Sequence, residues 1–195
     1  DILNLVGLRP SVITGCSIGG TDISITASGE NAGGLVGYAG AVQISNTSEL
    51  ADTLKSTTTA INRMLTKTGV SYEFGDHSNS VAAASSMNVS AVNYAGGLLG
   101  QAKMTSVSDV LGAADYMRFE LKDSSVNGGT DGLTVTASDK DASYAGGAIG
   151  QGTGGEVRKT SVTNLNSASA VKRAGGFAGY FGRDRFEQTL RSVGI

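Results

Sequence analysis

The tripeptide Ala-Gly-Gly recurs four times in this chain, each time with a further glycine three residues after the pair. The copies are Ala32-Gly33-Gly34-Leu35-Val36-Gly37, Ala95-Gly96-Gly97-Leu98-Leu99-Gly100, Ala145-Gly146-Gly147-Ala148-Ile149-Gly150 and Ala174-Gly175-Gly176-Phe177-Ala178-Gly179. Composition alone does not place so regular a hexapeptide four times in 195 residues. Self-similarity of this kind marks a repeat array, in which each unit buries its apolar face against its neighbours.

The first glycines of the pairs lie at 33, 96, 146 and 175, so the intervals are 63, 50 and 29 residues. The shortest interval is the bare unit, and the longer two contain inserted chain. A second landmark, Gly19-Gly20-Thr21-Asp22-Ile23-Ser24-Ile25-Thr26, precedes the first box. It returns before the third as Gly128-Gly129-Thr130-Asp131-Gly132-Leu133-Thr134-Val135-Thr136, with one residue added. Short alternating stretches follow the boxes at Val42-Gln43-Ile44-Ser45-Asn46, Thr105-Ser106-Val107-Ser108-Asp109 and Thr160-Ser161-Val162-Thr163-Asn164. Alternation ending in Asn or Asp is the pattern of a strand entering a turn. One unit is thus expected to hold three short strands and to form one turn of a parallel β-helix, a β-solenoid of about four repeat units. Leu35, Leu98, Ala148 and Phe177 are expected to form one stack along the array. Val36, Leu99, Ile149 and Ala178 form the next, facing the other way if the box is flat. The glycine pair allows a sharp bend or a close approach of the next coil.

Composition agrees with an all-β class: 29 glycines against one proline, with many Ser and Thr, suit tight turns between strands better than a disordered linker. The insertions differ in character. Leu50, Leu54, Ile61, Met64 and Leu65 have helical spacing, which predicts an amphipathic helix over 49–67 within an inserted segment at 47–80. A second, shorter insertion is expected at 109–123, and residues 183–195 read as the start of another. The whole of 1–195 then reads as a single solenoid segment with helical insertions. Both ends stop mid-pattern, so the chain reads as a fragment of a longer one.

The boxes at Asn31 to Gly37 and Tyr94 to Gly100 resemble the GLUG motif, which is repeated in large bacterial surface and secreted proteins, including some immunoglobulin A1 peptidases and adhesin-like proteins. The resemblance covers all four boxes and departs at the leucine position in the third and fourth, where Ala148 and Phe177 stand. It implies a cell-surface β-solenoid whose signature is structural: Gly33, Gly34 and Gly37, Gly96, Gly97 and Gly100, Gly146, Gly147 and Gly150, and Gly175, Gly176 and Gly179.

Chemistry is sparse. His77 is the single histidine and is read as a solvated loop residue; neighbouring Asp76 is poorly placed to orient it as a base. Cys16 is the single cysteine, so no intrachain disulfide forms, and its apolar-spaced flanks point to a buried small side chain. With one His and one Cys, a zinc site of those ligands is excluded. Asp22 and Asp131 share a position in Gly-Gly-Thr-Asp, with Asp139 and Asp141 near the latter; a turn-stabilising role is favoured over calcium ligation. The glycines of Gly150 to Gly155 lack the Lys-Ser/Thr and βαβ context of a phosphate loop. No catalytic, cofactor or metal residues are therefore assigned. Tyr94 and Tyr144 stand at the same position before their boxes and should stack as a ladder, either a structural column or a surface for sugar rings.

The net charge of −2 gives no electrostatic footprint for nucleic acid, and no stretch of about 18 apolar residues forms a transmembrane helix. The expected function is non-enzymatic: a structural or adhesive module of a bacterial extracellular or cell-surface protein. It acts as a stalk or displays its insertions to a host glycan, a host protein or a neighbouring cell. Self-association through open coil ends is a further expectation. The alternative is a carbohydrate-active β-helix enzyme, with Glu156, Arg158, Asp139 and Asp141 as its candidate groups, or a non-catalytic region of a secreted peptidase.

Overall fold

A computed structural model describes residues 11–40, 71–103 and 117–182 of the chain. They form four stacked coils. The first holds β1 (Ser11–Thr14), β2 (Ser17–Thr26), β3 (Asn31–Gly33) and β4 (Val36–Gly40). The second holds β5 (Ser71–His77), β6 (Ser80–Ala91), β7 (Tyr94–Gly96) and β8 (Leu99–Lys103). In the third, β9 (Met117–Lys122), β10 (Ser125–Asn127), β11 (Gly132–Ala137), β12 (Tyr144–Gly146) and β13 (Ile149–Thr153) follow the same path. The fourth repeats it with β14 (Gly155–Arg158), β15 (Ser161–Thr163), β16 (Leu165–Ala170), β17 (Arg173–Gly175) and β18 (Ala178–Gly182).

Every pairing among the described residues is parallel and joins one coil to the next. Four sheets result. Sheet A is β1-β5-β9-β14, sheet C is β3-β7-β12-β17 and sheet D is β4-β8-β13-β18. Sheet B is built on β2 and β6, with the pairs β10/β11 and β15/β16 continuing it. The architecture is therefore an all-β parallel solenoid. Its unit has four sides where three strands were expected. Sheet A is the side that sequence reading missed.

Alternation drives the core. Ile23, Met87, Leu133 and Leu165 share one register position, and Ile25, Val89, Val135 and Ala168 another. Met87, Val89, Leu133 and Val135 in the two middle coils are at most 1% exposed, because a coil on each side covers them. The intervening Ser and Thr face outward, as period-2 strands require.

The A–B corner turns on left-handed residues stacked coil on coil: Gly15 (φ 66°), Ser78 (58°), Asp123 (50°) and Lys159 (47°). Each is followed by a small polar residue and then Ser-Ile or Ser-Val: Ser17-Ile18, Ser80-Val81, Ser125-Val126 and Ser161-Val162, which pair in register. This places Ser161 to Thr163 opposite Ser125 to Asn127; the stretches 42–46 and 105–109, read as their equivalents, lie outside the described residues. Asn79 closes the corner from within. Its Oδ1 accepts from Cys16 N at 2.7 Å, and its Nδ2 donates to Ile13 O at 2.8 Å and also to Asp76 Oδ1. Cys16 itself is exposed, contrary to the expectation of burial: it stands in the first coil at the end of a polar corner column whose next members, Asn79 and Ser124, are buried.

The glycine boxes make the C–D corner, and three glycine columns arise for three steric reasons. A Cβ on Gly33, Gly96, Gly146 or Gly175 would lie 2.1–2.2 Å from the carbonyl oxygen three residues on, where the chain folds back. A Cβ on Gly34, Gly97 or Gly147 would lie 2.0–2.2 Å from the carbonyl oxygen of the same glycine in the next coil. A Cβ on Gly100, Gly150 or Gly179 would press within 2.6–2.8 Å of backbone at Ala32, Ala95 or Ala145 of the preceding coil. None of these residues has a positive φ, so close approach and not backbone freedom demands glycine. The fold-back also answers the conditional expectation about facing. Leu98 and Leu99 are both 0% exposed, as are Ala148 and Ile149, so the box is bent and neither column faces solvent.

The chain leaves sheet D at Gly40, Lys103 and Thr153 and enters the next coil's sheet A at Ser71, Met117 and Gly155. All intercoil connections thus leave from one corner. Strand β5 and the start of β6 occupy the end of the segment read as 47–80, and β9 the end of that read as 109–123. The helix at 49–67, the remainder of both insertions and 183–195 lie outside the described residues.

Candidate functional site

Two side-chain clusters stand out on the outer surface. The first runs along the C–D corner. Register aligns Asn31, Tyr94, Tyr144 and Arg173 in sheet C. In sheet D it aligns Tyr38, Gln101, Gln151 and Tyr180. Because equivalent residues of parallel coils sit about 4.8 Å apart, rings at one position stack. Tyr94 and Tyr144 do so, with centroids 5.6 Å apart and planes 10° from parallel. Tyr180 continues the column edge-on at 5.9 Å from Tyr144. Cations cap it at the fourth coil: Arg173 lies 5.1 Å over the Tyr180 ring and Lys172 5.9 Å over Tyr144. Alongside, Gln101 Nε2 donates to Gln151 Oε1, and Gln101 also hydrogen-bonds the Tyr94 side chain. Burial, then the neighbouring Tyr144 and Glu30, push the Tyr94 phenol above its ordinary value. The ladder read from sequence is present and extends one coil further.

At the first coil the column changes character. Asn31 takes the place of a ring, and a cleft of about 290 Å³ opens there, lined by Glu30, Asn31, Tyr38, Tyr94, Gln101 and Lys103. Tyr38 is 53% exposed at its mouth, Gln101 is nearly buried, and the buried Asn31 Oδ1 has no hydrogen-bond donor.

The second cluster lies on the outer face of sheet A. Glu120 and Glu156 are register partners on consecutive coils. His77 Nε2 is 2.9 Å from Glu120 Oε2, and Arg158 Nε donates to Glu156 Oε1 at 2.7 Å. His77 is therefore the last residue of β5, in hydrogen-bond contact with Glu120, not a solvated loop residue. Of the groups considered for a hydrolytic patch, Glu156 and Arg158 belong here, whereas Asp139 and Asp141 lie in the turn before β12. Asp139 Oδ1 accepts the Asp141 and Ala142 backbone N–H groups, both at 2.7 Å, and these bonds hold its carboxyl below the usual range. Asp22 and Asp131 likewise accept from serines of the second coil, Ser86 Oγ at 2.7 Å and Ser85 Oγ at 2.8 Å. Glu120 was not singled out in sequence; its signal was the alternation of Arg118-Phe119-Glu120-Leu121-Lys122.

Among the described residues no three His, Cys, Asp or Glu side chains gather as a metal site, and no helix is long and apolar enough to cross a membrane. No protein-family model, curated protein or solved structure matches the chain.

Proposed function

We propose that this solenoid is a structural and adhesive module of a bacterial secreted or cell-surface protein, non-catalytic, which holds recognition elements at fixed spacing. The observation that carries the reading is the common exit corner. The connections 41–70 and 104–116 and the single residue Gly154 all run from the end of a sheet D strand to the start of the next coil's sheet A strand, and sheets C and D keep their register from coil to coil. A scaffold that absorbs such different lengths at one edge is built to present them. The four glycine boxes, which resemble the GLUG motif of surface proteins, favour the same setting. The tyrosine–amide column offers a second contact face beside that edge.

The test is binding of the labelled, folded chain to an array of mucin-type glycans and extracellular-matrix proteins. Saturable binding to a narrow set is the expected result. A blank from protein shown to be folded leaves a spacer role and removes adhesion.

The Glu120–Glu156 pair supports one rival reading, a carbohydrate-active enzyme, since paired carboxylates on neighbouring strands are the minimum for glycoside hydrolysis. Their engagement with His77 and Arg158 favours a structural charge network instead. Cleavage of any polysaccharide that is lost on both Glu120→Gln and Glu156→Gln would establish the enzyme.

A further inference from the structure

We infer that the cleft at the first-coil end of the tyrosine column binds a single uncharged pyranose ring, stacked on the face of Tyr94 that Tyr144 leaves open. The inference rests on the adhesive reading above and names the ligand class and the residues that hold it.

Tyr94 lies between Asn31 and Tyr144 in sheet C, and Tyr144 stacks on one face of its ring. The opposite face points toward the first coil, where asparagine supplies no ring to cover it. The cleft opens at this step, and it is lined by Tyr94 and Asn31 but not by Tyr144. A flat ring entering there takes the place that a tyrosine at position 31 would hold, and so extends the column by one member.

The polar groups select the kind of ring. The Asn31 and Gln101 amides that line the cleft present donors and acceptors. A sugar carries hydroxyl groups to match them, whereas an aromatic hydrocarbon ring does not. Gln101, tied to both Tyr94 and Gln151, presents a fixed amide rather than a free one, so its position is set before binding. Glu30 and Lys103 both border the cleft, and opposite charges on one rim favour neither an anion nor a cation. The volume of about 290 Å³ lies at the lower end of small-molecule sites, suited to one sugar ring and not to an extended chain. Tyr38, half exposed at the mouth, offers a second surface against which the ring or its aglycone can lie.

The test uses the full chain and a panel of methyl glycosides of glucose, galactose, mannose, N-acetylglucosamine and N-acetylgalactosamine, with adenosine as an aromatic control. Side-chain NMR signals of Asn31, Gln101 and Tyr94 are followed on titration. At least one glycoside is expected to shift all three, saturably and in the millimolar range. Tyr94→Ala should weaken that binding about tenfold or more. Because that change also removes a stacked ring and can loosen the coil, Asn31→Tyr is the deciding variant. It fills the cleft with the next ring of the column, so it should abolish glycoside binding while thermal stability holds or rises. Glycoside binding unchanged in Asn31→Tyr overturns the inference. Silence of the three residues across the whole panel, or a response to adenosine alone, also overturns it. Array binding that survives Asn31→Tyr would place adhesion elsewhere on the module, so the two readings fail separately.

Discussion

Replacing Gly97 with alanine should break the stack between the second and third coils. The new Cβ would lie 2.1 Å from Gly147 O, with Leu133 Cδ2 and Val126 Cγ2 each 3.1 Å away on its other sides. An ordinary contact requires the coils to part by more than about 1 Å at this corner. Three backbone bonds cross there: Gly97 N to Gly147 O at 3.1 Å, Leu98 N to Ala148 O at 2.9 Å, and Leu99 N to Ala148 O at 3.0 Å. A shift of that size carries them to about 4 Å, beyond hydrogen-bonding range. At about 1 kcal/mol each, the loss is about 3 kcal/mol, which for a chain of this length lowers Tm by roughly 6–12 °C. Gly176 is the internal control, since it holds the same place in the fourth box, yet a Cβ there meets only Leu165 Cδ2 at 3.8 Å. Gly176→Ala should stay within about 0.5 kcal/mol of the parent. Urea unfolding of both variants decides the matter. Equal effects of the two substitutions, or a Gly97→Ala protein as stable as the parent, would refute the steric account of the box.

Asp76 sits in the inward column of sheet A between Ile13 and Leu121, fully buried, with Oδ1 accepting from Asn79 and Ser124 and Oδ2 without a partner. Burial raises its carboxyl above 3.8 despite those bonds, so its contribution to stability is greatest at acid pH and is lost as pH rises through the elevated value. Asp76→Asn should therefore gain stability relative to the parent as pH rises from about 4 to about 7, read from urea midpoints; a pH-independent difference would contradict the assignment. Lys159 holds a left-handed φ of 47° on the exposed A–B corner. Lys159→Gly should relieve about 1–2 kcal/mol of backbone strain, offset by about 0.5–1 kcal/mol of glycine entropy, for a net gain seen as a small rise in Tm. Asp139→Ala removes the acceptor for two turn N–H groups, and NMR titration of the parent should show Asp139 losing its charge at lower pH than the other exposed carboxyls.

Much of the solenoid was legible because its glycines are compelled. Where a side chain would strike backbone of its own or a neighbouring coil only glycine fits, and the box repeats visibly, with Gly176 alone of its column free of such a clash. The tyrosine ladder was legible for a related reason: equal position in a repeat means adjacency in space. Sheet A was not. Its barest strand, Gly155 to Arg158, has Val157 as its sole large apolar residue, and its second-coil counterpart buries Asp76 in place of a hydrophobe. The charged alternation of Met117–Lys122 was absorbed into an expected insertion. The Ser-Ile/Val step at the start of sheet B occurs in every coil, but alignment to the stretches after the boxes concealed it. The cleft escaped notice because it is an interruption. Asn31 breaks the tyrosine column, and a break has meaning only once the column's register is known.

The central claim is that coils separated by inserted chain stack in residue register through sheets C and D. Tyr94 and Tyr144, 50 residues apart in sequence, test it directly. NMR contacts between their ring protons, together with contacts joining Ala95 to Ala145 and Gly96 to Gly146, are the expected result. Contacts offset by one residue or more, or none between these segments, would contradict the register on which both the fold and the proposed site depend.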